Sequence, residues 1–158
     1  MKFCGQDNCK VDANGRVKLS PRFLRDFQET GRDLVLHCLP EGALGVYPSA
    51  TWTQMRQDEP RPAAKAASSV VFRRQLRRFG ALTQVQELTK QGRITIPPQF
   101  RVRLELTPGA EVVVVGTEIG LEIWANARWE REFDTLHKHE LEKAAAEMQA
   151  DIQPGVFD

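Results

Sequence analysis

The sequence predicts a mixed α/β, strand-rich fold: two tandem β-α-β repeats packed as a pseudo-two-fold core, with one helix between the repeats and another after them. Three observations carry that expectation. Residues 14–23, NGRVKLSPRF, return almost letter for letter as QGRITIPPQF at 91–100, and self-similarity at a fixed spacing marks an internally duplicated architecture. Within each copy, polar and apolar residues alternate over short stretches bounded by Gly and Pro, as half-buried strands do. Two longer stretches, AAKAASSVVFRRQLRRFGA and WEREFDTLHKHELEKAAAEMQADI, are rich in good helix formers.

Sliding the chain against itself by 77 positions aligns 11–52 with 88–129 without a gap. Gly15/Gly92, Arg16/Arg93, Pro21/Pro98, Phe23/Phe100, Val35/Val112, Leu44/Leu121 and Trp52/Trp129 are identical, and Val17/Ile94, Leu19/Ile96 and Tyr47/Trp124 are conservative pairs at apolar positions. The first repeat is assigned to residues 7–53, a helical inter-repeat segment to 54–81, the second repeat to 82–129, and an acidic C-terminal helix and tail to 130–158.

Both copies read alike. Gly15 and Gly92, each before an Arg, permit a turn of positive φ. RVKLS and RITIP then alternate as strands do. Pro21 and Pro98 suit a first helical turn, where a missing N–H is harmless. The helices PRFLRDF and PQFRVRL set Phe23 with Phe27 and Phe100 with Leu104 four residues apart on one face. Turns at Gly31 and at Pro108-Gly109 lead to second strands, DLVLHCL and EVVVVGT. Hairpins at Gly42 and Gly120 lead to final strands, LGVYP and LEIWA, and Trp52 and Trp129 open the next helices. The turn DEPRP, residues 58–62, precedes the inter-repeat helix. One such unit buries too little apolar surface to stand alone, so the copies must pack on each other or on another chain.

Composition narrows the function. The chain has 158 residues, of which 41% are hydrophobic, enough for one ordinary domain or two small ones sharing a core. No apolar run is long enough to cross a bilayer, and MKFCGQDNCK lacks the apolar core of a secretory signal, so a cytosolic location is expected. The three cysteines are expected as thiols; Cys4 and Cys9 have no nearby His or second Cys pair to complete a zinc site. His37 and Cys38 read as packed strand residues, and His137 and His139 as solvated. There is no Ser/His/Asp order, no H-x-E metal cluster and no phosphate-binding glycine loop, and the best nucleophile, Cys38, lies in an apolar strand. An enzyme, a cofactor, a metal and a small-molecule substrate are therefore not expected.

The net charge of +1 conceals an asymmetry. Residues 61–103 carry ten Lys or Arg against the single acid Glu87, whereas 105–158 carry twelve acids against four bases. A basic middle suits a polyanionic partner, and an acidic end suits a region held away from it. Alone, VFRRQLRRF reads as an amphipathic helix with its arginines solvated.

Taken together, the turn Asp12-Ala13-Asn14-Gly15-Arg16 with LSPRF, the second turn Thr89-Lys90-Gln91-Gly92-Arg93 with IPPQFR, the Arg-Phe-Gly-Ala at 78–81, LGVYP before Trp52 and EIW before Trp129 resemble the MraZ proteins of the SpoVT/AbrB-like superfamily. The resemblance covers roughly residues 9–129. It implies a sequence-specific DNA-binding transcriptional regulator of the bacterial division and cell wall gene cluster, usually a repressor that also controls its own operon. It also implies a closed homo-oligomeric ring that meets short, spaced, G-rich promoter repeats at the nucleoid. Superfamily relatives resembling the half-copies include antitoxins, which bind DNA together with a protein partner; that is the alternative reading.

The chemistry of the turns fits a DNA reader. A guanidinium projecting from a β-ribbon is able to place its fork on guanine O6 and N7 in the major groove, the role expected for Arg16 and Arg93. Lys18, Arg22, Lys90 and Arg101 are the expected phosphate contacts. Asp12 is placed to orient Arg16 by an ion pair across the turn, with Gly15 and Gly92 supplying the turns themselves. Thr89 stands at the acid position of the second copy, so no ion pair is expected there. An Asp–Arg pair that merely staples the turn is the structural alternative, and the resemblance to MraZ favours DNA.

Overall fold

Val17 and Ile94, 77 positions apart, face each other directly across a short antiparallel ribbon. Everything else in the fold is arranged to make that meeting possible. The computed structural model describes residues 1–57 and 61–151; the turn expected at 58–62 and the tail beyond Asp151 lie partly or wholly outside them. In chain order the elements are β1 (Gln6–Lys10), β2 (Arg16–Lys18), α1 (Pro21–Thr30), β3 (Asp33–Cys38), β4 (Leu44–Pro48), α2 (Ser49–Met55), α3 (Pro62–Ser68), α4 (Val70–Ala81), β5 (Thr83–Glu87), β6 (Arg93–Thr95), α5 (Pro98–Leu104), β7 (Glu111–Gly116), β8 (Leu121–Ala125) and α6 (Asn126–Asp151).

Six strands form one antiparallel sheet in the order β1-β7-β8-β4-β3-β5, and β2 and β6 form the two-stranded ribbon. The copies are interlocked. The leading strand of the first copy, β1, pairs with β7 of the second, and the leading strand of the second, β5, pairs with β3 of the first. The pseudo-two-fold relation runs through the Val17/Ile94 pair and the Gly45/Glu122 pair of β4 and β8. Neither copy keeps its own sheet intact if removed. Accordingly Met1–Ala125 is one compact unit.

One face of the sheet carries Leu34, Leu36, Leu44, Val46, Val112, Val114, Leu121 and Ile123 into a core completed by Phe23 and Phe27 of α1, by Phe100 and Leu104 of α5, and by Val17 and Ile94. Full burial of a Val or Ile side chain contributes about 1.5–3 kcal/mol, and both Val17 and Ile94 are fully buried. The other face carries His37 and Tyr47, against which α2 and α4 pack: His37 stacks on Phe79 of α4 at 4.7 Å and meets Trp52 of α2 at 5.1 Å. His37 and Cys38 are packed strand residues, as the apolar run predicts.

Three details refine the sequence reading. The gapless 77-residue alignment does not hold along the third strand. Leu36 pairs with Val46 and Val114 pairs with Ile123, so Leu36 and Val114 are structural mates at an offset of 78. The turn before β7 holds one extra residue and the hairpin after it one fewer, which returns β8 to 77. A slip of one residue turns a side chain to the opposite face, so Val35 and Val112, identical in sequence, occupy opposite faces. Second, the inter-repeat helix is two helices. Ser69 is extended, at φ −126° and ψ 115°, and its Oγ accepts the Phe72 N–H at 3.1 Å, capping α4 where a continuous helix would have needed that N–H internally. Third, the leading strands β1 and β5 have no signal comparable to the apolar middle strands, because an edge strand half in water has little need of apolar residues.

The second unit begins at Asn126, earlier than the boundary expected at residue 130. Its helix α6 has 26 residues and no buried side chain, and exposes Phe133, Leu136, Leu141 and Met148. His137 and His139 are solvated there.

Candidate nucleic-acid interface

The turn that feeds β2 is closed by a single carboxylate. The Gly15 N–H donates to the Asp12 carbonyl at 3.0 Å, and the Asp12 N–H donates to the Arg16 carbonyl at 2.9 Å. Asp12 Oδ1 accepts the N–H groups of Asn14 at 2.8 Å and Arg16 at 2.9 Å, while Oδ2 accepts Arg16 Nε at 3.2 Å. The Arg16 N–H bond is the main reason the Asp12 carboxyl is held below its usual value, with the Asn14 N–H and the Arg16 charge adding to it. An exposed ion pair contributes little to stability; its consequence here is geometric. Binding through Nε leaves both Nη groups of Arg16 unpartnered among the described residues.

The second turn keeps the geometry without the charge. The Gly92 N–H donates to the Thr89 carbonyl at 2.9 Å, and Thr89 Oγ1 accepts the Arg93 N–H at 2.9 Å. The hydroxyl thus replaces one of the carboxylate's acceptor roles, and the Arg93 side chain has no ion pair among the described residues.

The ribbon sorts these side chains by alternation. Val17 and Ile94 point into the core. Arg16, Lys18, Arg93 and Thr95 therefore point the other way, with Lys18 directly opposite Arg93. Like charges directly opposite on adjacent strands are destabilising. A three-residue ribbon whose outward face carries three cations and no acid is accordingly built for something other than its own stability. Lys90 is exposed on the second turn, next to that face.

Two of the expected contact residues are committed inside the molecule. Arg101, on α5, donates from Nε to the Ile96 carbonyl at 2.7 Å and from Nη2 to the Asn14 carbonyl at 3.3 Å, so the second copy's helix buttresses the first copy's turn. Arg22 donates to the carbonyls of Cys4 at 2.9 Å and Gln6 at 3.3 Å and pairs with Asp7 at 2.9 Å, which ties α1 to the N-terminal segment. Each sits on a helix following its strand, where the side chain reaches back to backbone carbonyls. Composition alone gives no sign of that.

Gln86 is the residue that sequence reasoning overlooked. Its carboxamide donates from Nε2 to the Thr95 carbonyl at 2.8 Å and accepts the Thr95 N–H through Oε1 at 2.9 Å, closing the outer edge of β6. The available signal was its position in TQVQE, a strand made mostly of polar residues.

A family model described as "MraZ protein, putative antitoxin-like" matches residues 2–74 and 80–152, one match for each copy. The chain belongs to the MraZ family. It is 34% identical to a transcriptional regulator MraZ of Moorella thermoacetica over 131 residues, 81% of this chain and 84% of that protein. It is also 34% identical to one of Thermus thermophilus, over 79% of this chain and 83% of the relative. The match to one of a Mycobacterium species, strain KMS, is 32% identical and spans 95% of this chain and 99% of the relative. Membership of MraZ accounts for the duplication, and the relatives are named as regulators, not enzymes. No helix among the described residues is long and apolar enough to cross a membrane.

Proposed function

We propose that this MraZ-family chain regulates transcription by binding double-stranded promoter DNA, with the outward face of the β2–β6 ribbon as the reading surface. The observation that carries the reading is the pairing of Lys18 with Arg93 beside Arg16, whose Nη edge is free. Arg16 and Arg93 offer their guanidiniums to guanine edges, each good bidentate pair being worth about 1–3 kcal/mol of discrimination. Lys18 and Lys90 neutralise phosphates. Arg22 and Arg101 act as positioning residues. The cationic face is contributed by both copies, so both are read together.

The fuller reading is that the protein acts as a closed ring on short, spaced, G-rich repeats upstream of the division and cell wall genes, its own operon included, and represses them. Joining several ribbons in one particle makes each later contact effectively intramolecular, raising affinity for a run of repeats by about 10²–10⁴ over a single one. Heterologous, head-to-tail interfaces close into such rings.

The test is a mobility-shift series on the promoter upstream of the protein's own gene. Arg16→Ala and Arg93→Ala are each expected to weaken binding and relax sequence preference, whereas Lys18→Ala is expected to weaken all sequences alike and to lower the log–log salt slope by about one. Wild-type binding by both arginine variants overturns the assignment of the ribbon. Light scattering that finds a monomer at micromolar concentration overturns the ring.

A further inference from the structure

The two halves of the ribbon are closed differently at their outer edges. Hydrogen bonds from the Leu19 N–H to the Gly92 carbonyl at 2.8 Å and from the Ile96 N–H to the Gly15 carbonyl at 2.9 Å fix the alternation of the ladder. In that alternation the N–H and C=O of Lys18 and of Thr95 point away from the partner strand. At Thr95 both groups are taken by the carboxamide of Gln86. The pseudo-symmetry mate of Thr95 is Lys18, and the mate of Gln86 is Cys9: Gln86 pairs with Leu34 and Cys9 with Val112, equivalent places on β3 and β7.

Cys9 has neither the length nor the amide to do what Gln86 does. The Lys18 edge has no hydrogen-bonded strand and no side-chain bridge among the described residues. In its place lies a cleft of about 480 Å³ lined by Asp7, Asn8, Cys9, Lys18, Ser20 and Phe23, among others. Two further polar atoms of that lining, Asp7 Oδ2 and Ser20 Oγ, are buried without a hydrogen-bond partner. Ser20 stands at the N-cap of α1 yet makes no capping bond. Buried polar groups left unpaired are destabilising.

We propose that this cleft binds a primary carboxamide carried by a small molecule. The chemistry is copied from the other half of the molecule. A carboxamide oxygen accepts the Lys18 N–H while its nitrogen donates to the Lys18 carbonyl, as Gln86 does at Thr95. Its second N–H and second lone pair are the complement of Asp7 Oδ2 and Ser20 Oγ. A carboxylate cannot substitute, because it has no donor for the Lys18 carbonyl and would meet the Asp7 charge. Lys18 also belongs to the cationic face, so occupancy would stiffen one corner of it. The inference itself needs no DNA.

The probes are propionamide and L-glutamine, with L-glutamate as control, read by saturation-transfer difference NMR on the full chain without DNA. Both amides are expected to give saturable signals that compete with each other, glutamate none. Cys9→Gln supplies the amide in place and is expected to abolish the signal, while Cys9→Ser leaves the cleft open and keeps it. Ser20→Ala removes one of the two unpartnered polar atoms and is expected to weaken the signal. The proposal is overturned if the wild type gives no saturable signal, if glutamate binds as glutamine does, or if a folded Cys9→Gln chain binds unchanged. Should Cys9→Gln fail to fold, a folded Ser20→Ala chain that binds as the wild type does overturns it equally.

Discussion

Gly15 and Gly92 are identical in sequence and nearly identical in backbone, at φ +73° and +77°, yet Gly15→Ala and Gly92→Ala are expected to differ in cost by about 2 kcal/mol. Holding a side chain in the left-handed region costs about 1–2 kcal/mol, offset in part by the reduced freedom of the unfolded chain, which returns about 0.4–1 kcal/mol. The net, about 1 kcal/mol, applies to both positions. At Gly92 that is nearly all, because an added Cβ meets only the Leu24 side chain, at 3.2 Å. At Gly15 the added Cβ overlaps the Arg101 guanidinium, which must then leave the carbonyls of Ile96 and Asn14. Hydrogen bonds from a charged donor contribute about 1.5–3 kcal/mol, so Gly15→Ala should cost about 3 kcal/mol in all. Urea unfolding of the two variants gives the comparison directly. The mechanism is isolated by repeating Gly15→Ala in an Arg101→Ala background, where its cost should fall to about 1 kcal/mol, a coupling of about 2 kcal/mol. Equal costs at the two glycines, or a cost at Gly15 that is unchanged without Arg101, would refute the buttress.

Other consequences are as direct. The chain has one tyrosine, and burial, aided by Glu122 and Glu41, pushes Tyr47 up to about 12. Its phenolate absorbance should therefore appear near pH 12, with stability full below the unfolded value near 10 and declining above it; a titration near 10 in the folded protein contradicts the packing. His37 is shifted down by burial and by the charges of Arg78 and Arg56, so its contribution is present above about pH 6.5 and is lost as pH falls through its lower folded value. His37→Gln should flatten the acid limb of the stability profile, and an unaltered limb counts against that assignment. The Asp12 carboxyl is depressed, so the first turn should hold its order above its ordinary value of 3.8 and lose it as pH falls through the lower folded one, read from the Arg16 amide resonance; Asp12→Asn should lower DNA affinity more than stability. Ile94→Ala, which empties a fully buried site under the ribbon, should cost about 2–5 kcal/mol without touching a cation, and a cost below about 1 kcal/mol would show that the ribbon is not seated on the core.

Much of the fold was legible because its signals are local. Gly before Arg, Pro at the start of each helix and alternation along RVKLS and RITIP each depend on a few neighbouring residues, and all recur in the structure. The leading strands were not legible, since β1 and β5 acquire strand character only from β7 and β3, partners distant in the chain. The helix break at Ser69 was hidden by the Ala- and Arg-rich composition on both sides, and becomes visible only when the hydroxyl is seen capping Phe72. At the two turns, the Asp12–Arg16 ion pair joins residues four apart and so has a local signal, whereas the carbonyl partners of Arg22 and Arg101 arrive from elsewhere in the fold.

The sequence alone determined that this protein is a duplicated chain, since repetition in order and spacing is a property of the string itself. It also showed that an acid, Asp12, stands four residues before Arg16 and that Thr89 takes its place before Arg93. Only the tertiary structure decided that the copies exchange their leading strands, that β7 is displaced by one residue relative to its mate, and that Lys18 of one copy stands opposite Arg93 of the other. The physical reason is that side-chain direction in a strand is set by register, and register across a duplication is set by turn lengths and by the partner strand. No single stretch of the chain contains either.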